Sequence, residues 1–218
     1  MPKTALVAGG TGLVGTHLLD KLIESKDYSE IKILIRKGST YQNDQASVLE
    51  VDYDQLSDYK NILKADVVFC CLGTTMKKAG SKEQFYKVDF TYTFELAKIA
   101  QENKCEQFNL ITASGANSGS MFYYNKVKGE IENAISQLEL TSVNIFRPSL
   151  LLGKRNEQRS GEQFGGIMAK FINPLLVGKL RKHRAIHAEI VAGAMVKVSL
   201  EKQKGIRFIE SDVIQSYT

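Results

Sequence analysis

The chain alternates short apolar runs with longer stretches whose apolar residues recur every three or four positions. A continuous apolar run suits a parallel strand buried on both faces, and a three-to-four spacing suits a helix with one buried stripe. Residues 4–8 (TALVA) are such a run and end at glycines. Leu13, His17, Leu18, Lys21 and Leu22 then recur at helical spacing, so the segment predicts strand, glycine turn and helix. Further strands are predicted at 31–36 (IKILIR), 47–51 (SVLEV), 65–73 (ADVVFCCLG), 107–114 (QFNLITAS) and 141–149 (TSVNIFRPS). Helices are predicted at 55–64, at 82–103 with Phe85, Val88, Tyr92, Leu96 and Ile99 on one stripe, and at 121–139. Strands alternating with helices imply right-handed βαβ crossovers, hence an α/β fold with a doubly wound parallel sheet of the Rossmann type. A single domain over 1–218 is expected. From about residue 160 the pattern is less regular, with a helix near 189–203 and a strand near 206–209. That tail is expected to form a small C-terminal cap on the substrate side.

The first turn carries the strongest chemical signal. Gly9, Gly10, Thr11, Gly12, Leu13, Val14 and Gly15 satisfy both G-x-G-x-x-G and G-x-x-G-x-x-G. A tight turn needs positive φ, and a pyrophosphate must approach backbone where no Cβ intrudes. The helix N-terminus then offers free N–H groups to it. A strand before and an amphipathic helix after supply the context in which this pattern binds a dinucleotide.

The end of the second strand selects the cofactor. An Asp or Glu there accepts from the ribose 2′-hydroxyl of NAD. This chain has Arg36 and Lys37. A guanidinium clasps a 2′-phosphate that a carboxylate would repel, so NADP is the expected cofactor. Asp52, at the end of the third strand, is placed to accept from the adenine amino group.

Tyr124 and Lys128 lie four apart on a predicted helix and share one face. A free tyrosine has a pKa near ~10, and a neighbouring ammonium favours its phenolate. Such a tyrosine can pass a proton to or from a substrate oxygen while hydride moves at a nicotinamide. Tyr123 has Val127 four residues on and lacks that partner. Thr112 and Ser114 alternate onto one face where the fifth strand ends, and either hydroxyl can bond the substrate oxygen.

Composition narrows the partners. Hydrophobic residues make up 43% and charged residues 24%, ordinary globular usage. The net charge is +5, and the densest basic cluster, Lys179 to Arg184, lacks aromatic interleaving, which argues against a nucleic-acid module. Apolar runs stay well below the roughly 18 residues of a membrane span. Cys70, Cys71 and Cys105 show no metal-ligand spacing, so no metal is expected, and an odd set of thiols fits a reducing cytosol. The first strand is expected to start by about Thr4 with the glycine loop directly after it, so no cleavable leader is expected, and the location expected is cytoplasmic.

The segments VAGGTGLVG, CCLGTT, FNLITASGA, FYYNKVKGEIE, IFRPSLLLG and KRNEQRSGE, spread over about residues 4–165, resemble the short-chain dehydrogenase/reductase superfamily in its extended or atypical branch. More narrowly they resemble the Tat-interacting-protein-like group and its bacterial relatives. The resemblance implies Tyr124 as proton donor or acceptor and Lys128 on the nicotinamide ribose. It also implies that Thr11 to Thr16 wrap the phosphates and that Gly73 and Thr74 line the cofactor. Arg147 and Pro148 would turn the chain at the nicotinamide end, and Leu151 and Arg159 would close over the dinucleotide. Relatives often show Ser-Ser or Ser-Ala where this chain has Thr112-Ala113-Ser114, and Ser114 is preferred for its place at the strand end.

The function expected is an NADP(H)-dependent oxidoreductase acting on a carbonyl or alcohol of a small molecule. Epimerase or isomerase chemistry suits the same residues. The alternative is a redox sensor or regulatory protein that binds NADPH with little turnover. The partners expected are the small-molecule substrate and either a second copy in a homodimer or a regulatory protein.

Overall fold

The computed structural model describes residues 3–153, 176 and 178–217. Seven parallel strands run β1 (Lys3–Ala8), β2 (Tyr28–Arg36), β3 (Ser47–Val51), β4 (Val67–Cys70), β5 (Gln107–Ile111), β6 (Ser142–Arg147) and, last in the chain, β9 (Gly205–Glu210). Their order in the sheet is β3-β2-β1-β4-β5-β6-β9. The order reverses between β1 and β4, and ligands of such sheets bind beyond the strand C-termini at that switch point. A separate two-stranded parallel pair joins β7 (Leu151–Leu152) to β8 (Ile186–His187).

Alternation along each central strand feeds two cores. Ala5 and Val7 of β1 face α1 (Leu13–Ser25) and α6 (Ala188–Ser199), where Leu18, Leu22, Val191 and Met195 are buried. Leu6 and Ala8 face the opposite layer. That layer is a broken helix, α3 (Lys82–Tyr86), a π-helical turn (Lys87–Thr91) and α4 (Tyr92–Glu102), followed by α5 (Tyr123–Ser136). The short α2 (Met76–Ala79) precedes it, and a 3-10 turn (Tyr53–Tyr59) follows β3. Burial of the central strands on both faces is why they read as continuous apolar runs.

The register of the last three strands is fixed by a buried polar row. Asn109 Nδ2 donates to Gln107 Oε1 (3.1 Å), Asn144 Nδ2 to Asn109 Oδ1 (3.0 Å), and Arg207 Nε to Asn144 Oδ1 (2.8 Å). A slip of β9 by one residue would strand these groups in an apolar layer.

The tail departs from the expected cap. Residues 186–217 complete the sandwich: α6 packs on α1, β9 pairs with β6 from Gly205 to Glu210, and α7 (Ser211–Gln215) closes the end. The physical reason is the edge of β6, whose buried Val143 and Ile145 and unpaired backbone need a neighbour. The expected cap over 154–175 lies outside the described residues.

Candidate active site

The phosphate loop joins β1 to α1 at the switch point. Gly9 has φ +80°, and a Cβ there would stand 2.5 Å from the Cys71 carbonyl oxygen. A Cβ on Gly15 would stand 2.1 Å from the Gly9 oxygen, so α1 can start this close to β1 only with glycine. Gly12 is exposed and a Cβ there would meet only the Gly9 oxygen, at 3.2 Å. Gly12 is also the N-cap of α1 and supplies no side-chain cap. The first-turn amides of Leu13, Val14 and Gly15 thus face the crevice without a side-chain acceptor, which fits an anionic group. Thr11 is exposed, whereas the Thr16 hydroxyl bonds back to the Gly12 carbonyl at 3.0 Å.

Arg36 and Lys37 end β2 with exposed side chains that make no hydrogen bond or ion pair to a described residue. Asp52 accepts from the Asp54 amide at 2.9 Å and so caps the 3-10 turn, and its second oxygen makes no hydrogen bond among the described residues. Beside it, Asp54 accepts from the Tyr92 hydroxyl (2.8 Å) and pairs with Lys87 (2.6 Å). These two donors hold the Asp54 carboxyl below the usual carboxylate range.

Tyr124 and Lys128 sit in the first turns of α5. Tyr124 is 39% exposed, and its ring lies 5.8 Å from Phe85. Lys128 is buried, its Nζ 2.8 Å from Asp89 Oδ1. Burial alone would push the Lys128 ammonium down, but the Asp89 carboxylate and the Tyr124 phenol raise it more, and its pKa lies above the ordinary lysine value. Tyr123 points elsewhere, donating to the Lys82 carbonyl at 3.0 Å.

The loop after β5 is tied to both neighbours. The Ser114 amide donates to the Pro148 carbonyl (2.8 Å), and the Asn117 amide donates to the Asn125 carbonyl (3.0 Å), next to Tyr124. A Cβ on Gly129 would stand 2.2 Å from the Ser118 nitrogen, so α5 lies directly on this loop. Ser114 Oγ has no hydrogen bond among the described residues, whereas Thr112 Oγ1 donates to Glu132 Oε1 at 2.6 Å. Of the two hydroxyls read from the sequence, Ser114 is the one left open.

Arg147 occupies a different place from the one its motif implied. Its Nε and Nη2 reach both oxygens of buried Glu132 (3.0 and 2.6 Å), its Nη1 reaches Glu210 (3.0 Å), and its plane covers Phe208. The guanidinium therefore clamps α5 to β6 and β9 and is not presented to a dinucleotide. Pro148 is buried behind the Ser114 loop. Leu151 pairs with Ile186, and the nearby Gly153 packs on Leu13 of α1. Arg159 lies outside the described residues. Gly73 and Thr74 follow β4, and the Thr74 amide donates to Asp89 Oδ2 at 2.8 Å.

Sequence reasoning passed over Asp89, Glu132 and Gly129. Asp89 and Thr93 continue the buried line of Phe85 at helical spacing, and Gly129 interrupts an otherwise helical pattern, which are the signals for Asp89 and Gly129; Glu132 carries none.

A glycine loop at the switch point of a parallel sheet, with a tyrosine–lysine pair beyond β5, defines a Rossmann-type protein of the short-chain dehydrogenase kind. The chain belongs to the NAD dependent epimerase/dehydratase family, whose model matches residues 5–205, and within it to the Tat-interacting-protein-like group. Rat Protein HTATIP2 is 30% identical over 96% of this chain and 90% of its own length. Protein FMP52, mitochondrial, of Eremothecium gossypii is 33% identical over 97% of this chain and 96% of its own. Among solved structures, the UDP-glucose 4-epimerase of Thermotoga maritima superposes with TM-score 0.70 at 16% identity, covering 98% of this chain and 80% of that one. Bordetella bronchiseptica WbmH, solved in complex with NAD+, superposes with TM-score 0.71 at 13% identity, covering 96% and 76%. At these identities the structural likeness speaks for the fold. Among the described residues no cluster suited to a metal occurs, and no helix is long and apolar enough to cross a membrane.

Proposed function

We propose that this protein is an NADP(H)-dependent oxidoreductase that interconverts a carbonyl and an alcohol on a small molecule. The observation that carries this is the part-exposed Tyr124 one helical turn before a buried Lys128 that pairs with Asp89, with a Ser114 hydroxyl on the loop after β5 that makes no hydrogen bond among the described residues. Gly9 and the amides from Gly12 to Gly15 fit the pyrophosphate, Arg36 and Lys37 the 2′-phosphate, and Asp52 the adenine. Gly73, Thr74 and Lys128 fit the nicotinamide half. When bound, NADP(H) supplies or takes up the hydride. Ser114 orients the substrate oxygen. Tyr124 donates its hydroxyl proton to that oxygen in reduction and accepts it in oxidation. Lys128 stabilises the phenolate left behind until solvent reprotonates it.

Three unpaired thiols support a cytoplasmic location, although relatives carry a mitochondrial description.

The test is NADPH oxidation against aldehydes, ketones and quinones. Wild type should turn over, and Tyr124→Phe should lose at least about 10²-fold, the usual scale for general acid catalysis. Tyr123→Phe should be mild. Tight NADPH binding without turnover on any of these substrates would replace the enzyme with the redox sensor.

A further inference from the structure

The π-helical turn Lys87–Thr91 interrupts the helix opposite α5. A π turn inserts one residue into the i→i+4 ladder and shifts the phase of the side chains beyond it; such turns concentrate at functional sites. Asp89 lies within this turn and is buried, with only 1% of it exposed. Burying a carboxylate is costly unless each oxygen is answered. Oδ2 accepts a hydrogen bond from the Thr74 amide at 2.8 Å, whereas Oδ1 takes no hydrogen bond and is answered by charge alone, 2.8 Å from Lys128 Nζ. Gly73 brings the chain close to both groups, since a Cβ there would lie 3.5 Å from Asp89 Oδ1 and 3.6 Å from Lys128 Nζ. One carboxylate thus touches the loop after β4 and the lysine on α5.

We propose that Asp89 is a positioning residue that braces the Gly73–Thr74 cofactor loop and holds the Tyr124–Lys128 unit in its proton-donating form. The second half rests on the oxidoreductase reading; the first half does not. A lone buried ammonium next to Tyr124 would pull a proton off the unit, either from the phenol or from the lysine itself. Asp89 neutralises that ammonium, so phenol and ammonium both keep their protons. The groups that face Lys128 are Asp89 from the π turn, Tyr124 one helical turn back on α5, and the buried Cys70 thiol at the end of β4. Lys87 is turned to Asp54, and Glu132 is engaged by Arg147 and Thr112, so neither substitutes for Asp89. Because phenol and lysine titrate as a coupled pair, the observable is the first proton lost from the pair, not either residue alone.

Asparagine separates the two duties, because its amide oxygen still accepts from Thr74 while the charge is gone. For Asp89→Asn, the alkaline limb of kcat/KM for carbonyl reduction should move to lower pH by about one unit or more. NADPH affinity measured by calorimetry should stay within about threefold, because the acceptor for the Thr74 amide remains. Asp89→Ala should weaken NADPH by about tenfold through loss of the charged acceptor. Where a lone Lys128 prevents folding, Asp89→Asn/Lys128→Met and Asp89→Ala/Lys128→Met give the same contrast with no buried charge. The alanine version should bind NADPH more weakly than the asparagine version. An unmoved alkaline limb in folded Asp89→Asn overturns the charge role. Equal NADPH affinity for the alanine and asparagine variants overturns the brace. A wild type with no turnover defeats the oxidoreductase reading instead, and the binding contrast still decides the brace.

Discussion

Replacing Arg147 with methionine tests whether this arginine serves the fold or the cofactor. The Glu132 side chain is 3% exposed and takes three donors, Thr112 Oγ1, Arg147 Nε and Arg147 Nη2. Arg147→Met leaves that carboxylate with the threonine alone. Breaking a buried pair by removing one partner costs about 3–5 kcal/mol. Arg147 itself is 23% exposed, so water relieves part of the penalty, and about 2–3 kcal/mol is the expected loss. For a chain of this size each kcal/mol lowers Tm by about 2–4 °C, so Tm should fall by roughly 4–12 °C. NADPH affinity should stay within about threefold of wild type, since no ligand contact is removed. Glu132→Leu/Arg147→Met should recover much of the loss, because no charge is then left buried alone. Thermal unfolding and calorimetric titration on the same samples supply both readouts. An Arg147→Met protein that melts like wild type but binds NADPH tenfold or more weakly would refute the clamp and return Arg147 to the cofactor.

Other expectations follow from contacts in the two cores and the loop. Gly15→Ala should disrupt the loop itself, since its Cβ would stand 2.1 Å from the Gly9 oxygen; a lower Tm together with lost NADPH binding checks it. Gly12→Val should keep the fold by circular dichroism and lose NADPH, because a Cβ there meets only the Gly9 oxygen and stands in the exposed loop where a pyrophosphate would lie; unchanged affinity would remove the loop from the site. Burial pushes the Cys70 thiol up to about 11 and Cys105 up to about 12, and it raises Cys71 as well. Thiolate is scarce until pH approaches those values, so a thiol reagent near pH 8 should label the native protein slowly and label all three cysteines after unfolding.

Much of the fold was legible because both-face burial writes itself as apolar runs. All six strands predicted before the tail are present, and 206–209 was seen as a strand. What pattern could not give was that strand's partner: its pairing with β6 joins residues about sixty apart, and an exposed Ile206 and Phe208 look the same in a cap or at a sheet edge. The predicted helix at 82–103 hid its π turn, because Val88 and Tyr92 kept an uninterrupted stripe while Asp89 and Thr93 took the buried face. In the site, Tyr124 and Lys128 share a helix face and were legible from spacing alone. Thr112, Glu132 and Arg147 lie on three elements, and their mutual engagement exists only after β5, α5 and β6 pack. A strand-end arginine carries no mark in the sequence that says whether its partner is a phosphate or a carboxylate.

Arg36 is where that distinction matters most, and titrating both dinucleotides against wild type and Arg36→Asp measures it. Arg36 is exposed at the end of β2, with no described side chain holding its guanidinium. A charge-assisted hydrogen bond to a 2′-phosphate contributes roughly 1.5–3 kcal/mol, or about 10- to 150-fold in affinity. NADPH should therefore bind wild type at least about tenfold more tightly than NADH, and Arg36→Asp should reverse the order, because aspartate repels the phosphate and accepts from a free 2′-hydroxyl. Equal wild-type affinities, or an Arg36→Asp protein that still prefers NADPH, would contradict NADP(H) as the cofactor of this site.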